Sequence, residues 1–219
     1  MGTNSQSTQK QYNKVSTDKG TWLHAPGSDF LFAYLKKDWP ADLTKKVTQA
    51  FEDALEMSST IKDQVKDTSG DDVKNGLYLL NQSAMTKAMN NIDGMGETEV
   101  NQDGKSGSGT TVSINMEFFK AILGGLDGDV APLMTYLNTQ MSDVIAETRK
   151  STVTQNFGTV IGLISVMPVL NVPVTSFQYV FSSAETSQWF VKLICGSTQH
   201  YSYDYKYTIV NYNYDKPSK

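Results

Sequence analysis

Phe157-Gly158-Thr159-Val160-Ile161-Gly162-Leu163-Ile164-Ser165-Val166-Met167 is the run on which the reading of this chain turns. Successive residues of a strand point to opposite faces. Val160, Gly162, Ile164 and Val166 then form one row, and Ile161, Leu163, Ser165 and Met167 the other. Both rows are largely apolar, so a strand here must be covered on both sides. Three more strands are expected after it, from Val174 to Ser182, from Gln188 to Cys195 and from Gln199 to Val210. The segment from Ser151 to Tyr214 is therefore what the rest of the chain has to cover.

The cover is legible upstream. Leu43, Val47, Phe51, Ala54, Leu55, Ile61 and Val65 recur at mostly three- and four-residue spacing, with Lys45, Lys46, Glu52, Asp53 and Lys62 largely opposite. That is an amphipathic helix, and Pro40 suits its first turn. Asp71 and Asp72 offer a cap to a second helix with Val73, Leu77, Leu80, Ala84 and Ala88 on one side, and Gly94 is its stop signal. Residues 94–109 are rich in Gly, Ser and Asp and read as a loop. Val112, Ile114 and Met116 alternate as a short strand. A short helix with Phe118, Phe119, Ile122, Leu123 and Leu126 follows, then one capped by Asp129 with Val130, Leu133, Leu137, Met141, Val144 and Ile145 on one face. Before all of this, Phe30 to Leu35 reads as a short buried segment. The expected fold is α+β, a three-layer α/β/α arrangement with a largely antiparallel sheet of long C-terminal strands wrapped by two helical hairpins. Residues 1–20 are polar and expected to be a flexible tail, and residues 21–215 a single domain.

Composition narrows the function. Among 219 residues 19% are charged and the formal net charge is -4, without the basic excess that nucleic acid binding needs. Cys195 is the only cysteine, so no intrachain disulfide forms. Residues 1–20 lack the apolar core of a signal peptide. The best apolar run, Val160 to Leu170, is shorter than the ~20 residues of a helical span and contains Gly162, Ser165 and Pro168. The chain reads as soluble when synthesised.

Catalytic and ligand motifs are missing. Gly104-Lys105-Ser106 resembles the end of a phosphate loop, but position 99 is Glu where glycine is required. A calcium loop opening at Asn101 fails at Lys105, Ser106 and Val112. His24 and His200 read as surface or turn residues. No catalytic residue, cofactor or metal site is assigned, and an enzyme ranks behind a binding or membrane protein. Cys195, in the apolar run from Phe190, reads as a small buried hydrophobe or as a thiol for acylation or crosslinking. Tyr201, Tyr203, Tyr205 and Tyr207 share one row of a strand. They have three readings: an aromatic ladder within the sheet, a belt at a membrane interface, or a stacking platform for sugars.

A membrane-spanning β-strand needs about 9–11 residues with alternating polarity. The strands from Val174, Gln188 and Gln199 are long enough. Thr175, Phe177, Tyr179 and Phe181 face away from Ser176, Gln178 and Ser182, and Trp189, Val191, Leu193 and Cys195 face away from Gln188 and Lys192. Such strands can serve as a soluble core and, after rearrangement, as a barrel wall.

The order of elements resembles the Cyt-type cytolytic delta-endotoxins and the volvatoxin-like fungal cytolysins. The pattern is carried by Thr111-Val112-Ser113-Ile114-Asn115-Met116-Glu117-Phe118-Phe119-Lys120-Ala121-Ile122-Leu123 and by the run from Thr175 to Val210. The resemblance implies a protein that binds membrane lipids, associates with itself on them and permeabilises them outside the producing cell. It implies insertion of the long strands, with Val160, Ile161, Leu163, Ile164, Phe177, Tyr179, Phe181, Trp189, Val191 and Leu193 as the residues entering lipid. In virulence-factor relatives of this fold a cysteine can carry a fatty acyl group, which keeps Cys195 as a candidate. A non-lytic glycan- or lipid-binding module using the tyrosine-rich strand is the competing expectation.

Overall fold

The computed structural model describes residues 12–26, 30–69, 77–78, 82–110, 119–140, 157–182 and 200–216. Its centre is one mixed sheet. The first three strands, β1 (Asn13–Ser16), β2 (Gly20–His24) and β3 (Phe30–Lys36), form an antiparallel meander. After helix α1 (Ala41–Ser69) come β4 (Leu77–Tyr78), helix α2 (Gln82–Asn90) and the 16-residue β5 (Met95–Thr110). Helical residues 119–123 run into a 3-10 turn, Gly124–Leu126, and then helix α3 (Val130–Gln140). The strands β6 (Phe157–Met167), β7 (Val172–Ser182) and β8 (His200–Tyr214) complete the order β1-β2-β3-β6-β7-β8-β5, with β4 also paired to β6. Among the described strands only β3 and β6 run parallel; the other pairs are antiparallel.

The run from Phe157 to Met167 is covered on both sides, as its two apolar rows require. Val160 and Ile164 join Leu23, Leu31, Phe177 and Tyr179 under α1 and α2. Ile161 and Leu163 join Trp22, Phe32 and Val180 under the helices from Phe119 to Met134. The architecture is α+β in three layers. Helix α1 buries Leu43, Val47, Phe51, Ala54, Met57, Ile61 and Val65, one stripe at the helical repeat. Asp129 caps α3, its Oδ1 accepting the Ala131 N–H at 3.1 Å. Gly94 (φ 81°) takes the left-handed conformation just beyond α2.

Four expectations are corrected. The stretch read as a loop over residues 94–109 is mostly strand β5, because β8 offers it a partner backbone along its whole length. The second helix is shorter than its apolar spacing implies, since Leu77 and Tyr78 pair with Thr159 and Gly158 of β6 and α2 begins at Gln82. Within the expected tail, Asn13–Ser16 is a sheet strand, and Tyr12 packs edge-on against Phe51 with ring centres 5.3 Å apart. His24 is buried rather than at the surface, edge-on to the rings of Phe32 and Tyr136. The expected strand at Val112–Met116 lies outside the described residues, as does the one from Gln188 to Cys195.

Candidate membrane-inserting site

β6 and β7 form a regular hairpin in which all eleven residues of each strand are in register, from Phe157↔Ser182 to Met167↔Val172. Its turn, 168–171, closes with the Asn171 N–H donating to the Met167 carbonyl at 2.9 Å. Asn171 sits at φ 49°, a left-handed position that asparagine tolerates better than most residues. Between Lys150 and Glu185 the sequence has no Asp, Glu, Lys, Arg or His. That absence is a plain sequence signal, and apolar periodicity alone passes over it.

The two faces of the hairpin differ. Toward α1 and α2 it presents Val160, Ile164, Phe177 and Tyr179 around Gly162. Even a methyl group on Gly162 would run into Leu31 and the Phe177 ring, so the neighbouring side chains pack directly onto its backbone. The opposite row interleaves Ile161, Leu163 and Val180 with Thr159, Ser165, Ser176 and Gln178. Gln178 Oε1 is buried and accepts no hydrogen bond among the described residues.

Polar ties hold the helical layers to the sheet at scattered points. The buried Trp22 donates its indole N–H to the Asp129 carbonyl at 2.7 Å. Lys36 pairs with Asp127 at 2.8 Å. On the other side Thr86 of α2 donates to Glu97 Oε2 at 2.9 Å and lies 3.1 Å from the hydroxyl of Tyr212. Burial raises the Tyr212 hydroxyl above its ordinary pKa, with the Glu97 charge adding to this against an opposing contribution from the Thr86 bond. Lys216, just past β8, reaches Asp53 of α1 at 3.0 Å, and this contact raises the lysine's pKa.

Of the residues expected to enter lipid, Val160, Ile161, Leu163, Ile164, Phe177 and Tyr179 are buried together in β6 and β7, divided between the two faces. Phe181 lies in β7 opposite Gly158. Trp189, Val191, Leu193 and Cys195 lie outside the described residues. Tyr201, Tyr203, Tyr205 and Tyr207 lie in β8, across from Gly109, Gly107, Lys105 and Asp103 of β5, so the row opposite them on this side is not aromatic. The ties at Thr86, Tyr212, Asp53 and Lys216 had no signature in the sequence, since each joins residues distant along the chain. Among the described residues no helix is long and apolar enough to cross a membrane, which leaves crossing by strands untouched.

No family model and no curated protein matches the sequence. Similar solved structures include the Evf virulence factor, at a TM-score of 0.52 and 12% identity over 81% of this chain and 67% of that one. They also include the activated Cyt2Ba monomer from Bacillus thuringiensis subsp. israelensis, at a TM-score of 0.37 and 7% identity over 76% of this chain and 93% of that one. A delta-endotoxin aligns at a TM-score of 0.39 and 9% identity over 90% and 87% of the two chains. The likeness to the Evf structure is one of fold.

Proposed function

We propose that this protein binds lipid membranes, associates with itself on them and permeabilises them by inserting its long C-terminal strands, led by the β6–β7 hairpin. The observation that carries this reading is the uncharged hairpin. Each strand has 11 residues, enough to cross a bilayer's hydrocarbon at the usual tilt, where about 9–11 are needed. Charges are what hydrocarbon rejects most strongly, and this hairpin brings none. In the inserted state the row of Val160, Ile164, Phe177 and Tyr179 meets lipid. The opposite row, in which Thr159, Ser165, Ser176 and Gln178 interleave with Ile161, Leu163 and Val180, faces the other way, where water gives Gln178 Oε1 a donor. The fold it shares with the Evf virulence factor agrees with this reading at the level of architecture.

The helical layers must leave the sheet for this to happen. Apolar contact between layers has no fixed partner, and lipid can replace it; the described polar ties, such as Thr86 with Tyr212 and Lys216 with Asp53, have to break. A crosslink from α1 to the end of β8 tests the step. Asp53→Cys and Lys216→Cys, in a Cys195→Ser background, are joined by a short bis-maleimide linker with a reducible disulfide. Uncrosslinked protein is expected to release dye from protein-free liposomes, crosslinked protein to release almost none, and reduction to restore release. No release by the unmodified protein from neutral or anionic liposomes would sink the proposal. Full release by crosslinked protein would show that α1 need not move.

A further inference from the structure

We propose that the tip of the β6–β7 hairpin, made by Met167, Val169, Leu170 and Val172, is where this protein first seats in the surface of a lipid bilayer. The inference rests on the membrane-acting reading above and gives it a point of contact. Val169 is 89% exposed, Leu170 64%, Met167 43% and Val172 38%. These are four of the five large apolar side chains exposed among the described residues, and they are gathered at one turn. A folded protein exposing a clustered apolar tip gains by burying it elsewhere, whereas the rows of β6 behind it are already buried in the core.

Three features select a bilayer as the occupant. The first is size: four side chains at one turn expose on the order of 400 Å2, about half of the roughly 800 Å2 that each partner buries in a stable protein interface. The second is the surroundings. β3 runs parallel to β6 and ends at Lys36, so Lys36, Lys37 and Trp39 lie at the same end of the sheet as the tip. Trp39 and Lys36 share with Pro168 and Asn171 of the turn a cleft of about 220 Å3. An apolar point flanked by tryptophan and lysine suits the headgroup boundary, where aromatic rings collect and lysine stems reach outward.

The third feature is charge. Lys19, Lys36 and Lys37 are matched by Asp18, Asp38 and Asp127 in the turns around the tip, and the chain as a whole is at -4. Attraction to anionic lipid is therefore weak, and a zwitterionic surface is the better fit. Contact comes from apolar burial and is indifferent to salt.

The test uses the full chain and phosphatidylcholine vesicles, with the bound fraction read by flotation. The double variant Val169→Asp/Leu170→Asp is expected to weaken partitioning by at least about tenfold while leaving thermal unfolding unchanged, because both side chains are exposed. Leu170→Trp keeps the tip apolar and is expected to bind at least as tightly as the unmodified chain. Binding by the unmodified chain that the double variant retains in full overturns the tip assignment and leaves the membrane-acting reading standing. Failure of the unmodified chain to bind any vesicle, anionic ones included, overturns that reading and the inference with it. Binding that needs anionic lipid and disappears in added salt overturns the tip assignment, as does a tenfold loss in Leu170→Trp. Sedimentation velocity without lipid covers the remaining occupant: a dimer of the unmodified chain that the double variant converts to monomer makes the tip a self-contact and overturns the assignment.

Discussion

The β6–β7 hairpin and the β5–β8 ribbon are neighbouring antiparallel pairs in one sheet, and they are built on opposite terms. The hairpin has no charged residue and packs its rows beneath helices on both faces. The ribbon carries Glu97, Glu99, Asp103 and Lys105 on β5 and Asp204 and Lys206 on β8. The described side chains of β5 from Gly96 to Gln102 are exposed. Backbone pairing runs the length of the ribbon, and the charges of β5 guard an edge that would otherwise invite further strands. Side-chain burial holds the hairpin. What the difference teaches is that strand length and strand charge are set independently in this sheet. The ribbon strands include the longest, yet the hairpin is the pair that carries no charge.

Truncating one apolar side chain in each region should expose the contrast most strongly. Phe177 is fully buried at the centre of the α1-side core, whereas Val100 of β5 is 41% exposed opposite Val210. Phe177→Ala is expected to lower stability by about 3–5 kcal/mol, and Val100→Ala by about 0.5 kcal/mol, in urea unfolding followed by circular dichroism. Equal costs would mean that the ribbon is packed as tightly as the hairpin, and the distinction between them would be lost.

A smaller effect is expected from filling the hairpin. Gly162→Ala places a methyl group against Leu31 and Phe177, on a backbone with no space left for it. Overpacking of this kind costs about 1–3 kcal/mol. Gly96→Ala in β5 meets nothing within 4 Å and should be near neutral by the same assay. A neutral Gly162→Ala would show that the Leu31 and Phe177 side chains shift easily there.

The sequence discloses these two regions unequally. The rows of β6, the stripe of α1 and the cap at Asp129 are written in local spacing, and each stands where that spacing puts it. β5 is not readable this way. Its Gly, Ser and Asp content is that of a loop, and only pairing with β8, about a hundred residues later, makes it a strand. The same holds for β4, where pairing with β6 prevails over helical spacing around Leu77, and for the parallel pairing of β3 with β6. The residues expected to insert were found by apolarity, which core and membrane share, so apolarity could not separate the two uses. The lack of charge from Ser151 to Ala184 is legible without any structure, and core and lipid share that requirement too. The exposed tip at Val169 and Leu170 is not legible in that way, because Val160 to Leu170 reads as one continuous apolar run until the turn is placed.

The finest distinction concerns the place where ribbon and hairpin meet. Tyr212 pairs with Phe177 across β7 and β8, is fully buried, and approaches Thr86 of α2 through its hydroxyl. Its pKa is raised, first by burial, above an ordinary value of 10.0. The folded protein thus keeps this proton at a pH where the unfolded chain has released it. The unfolded state then binds fewer protons, and stability falls as pH rises. The contribution is fully present below about pH 10 and is lost as pH climbs through the raised value. Tyr212→Phe removes both the titration and the tie to α2. It is expected to cost about 1 kcal/mol at neutral pH and to flatten the decline above pH 10 in urea unfolding measured across pH. Some decline remains, because burial and the Glu52 charge raise Tyr12 as well. An unchanged alkaline slope would assign the loss to groups such as Tyr12 and Lys216, whose pKa values are also raised, and leave the junction between ribbon and α2 held by apolar packing, like the hairpin beside it.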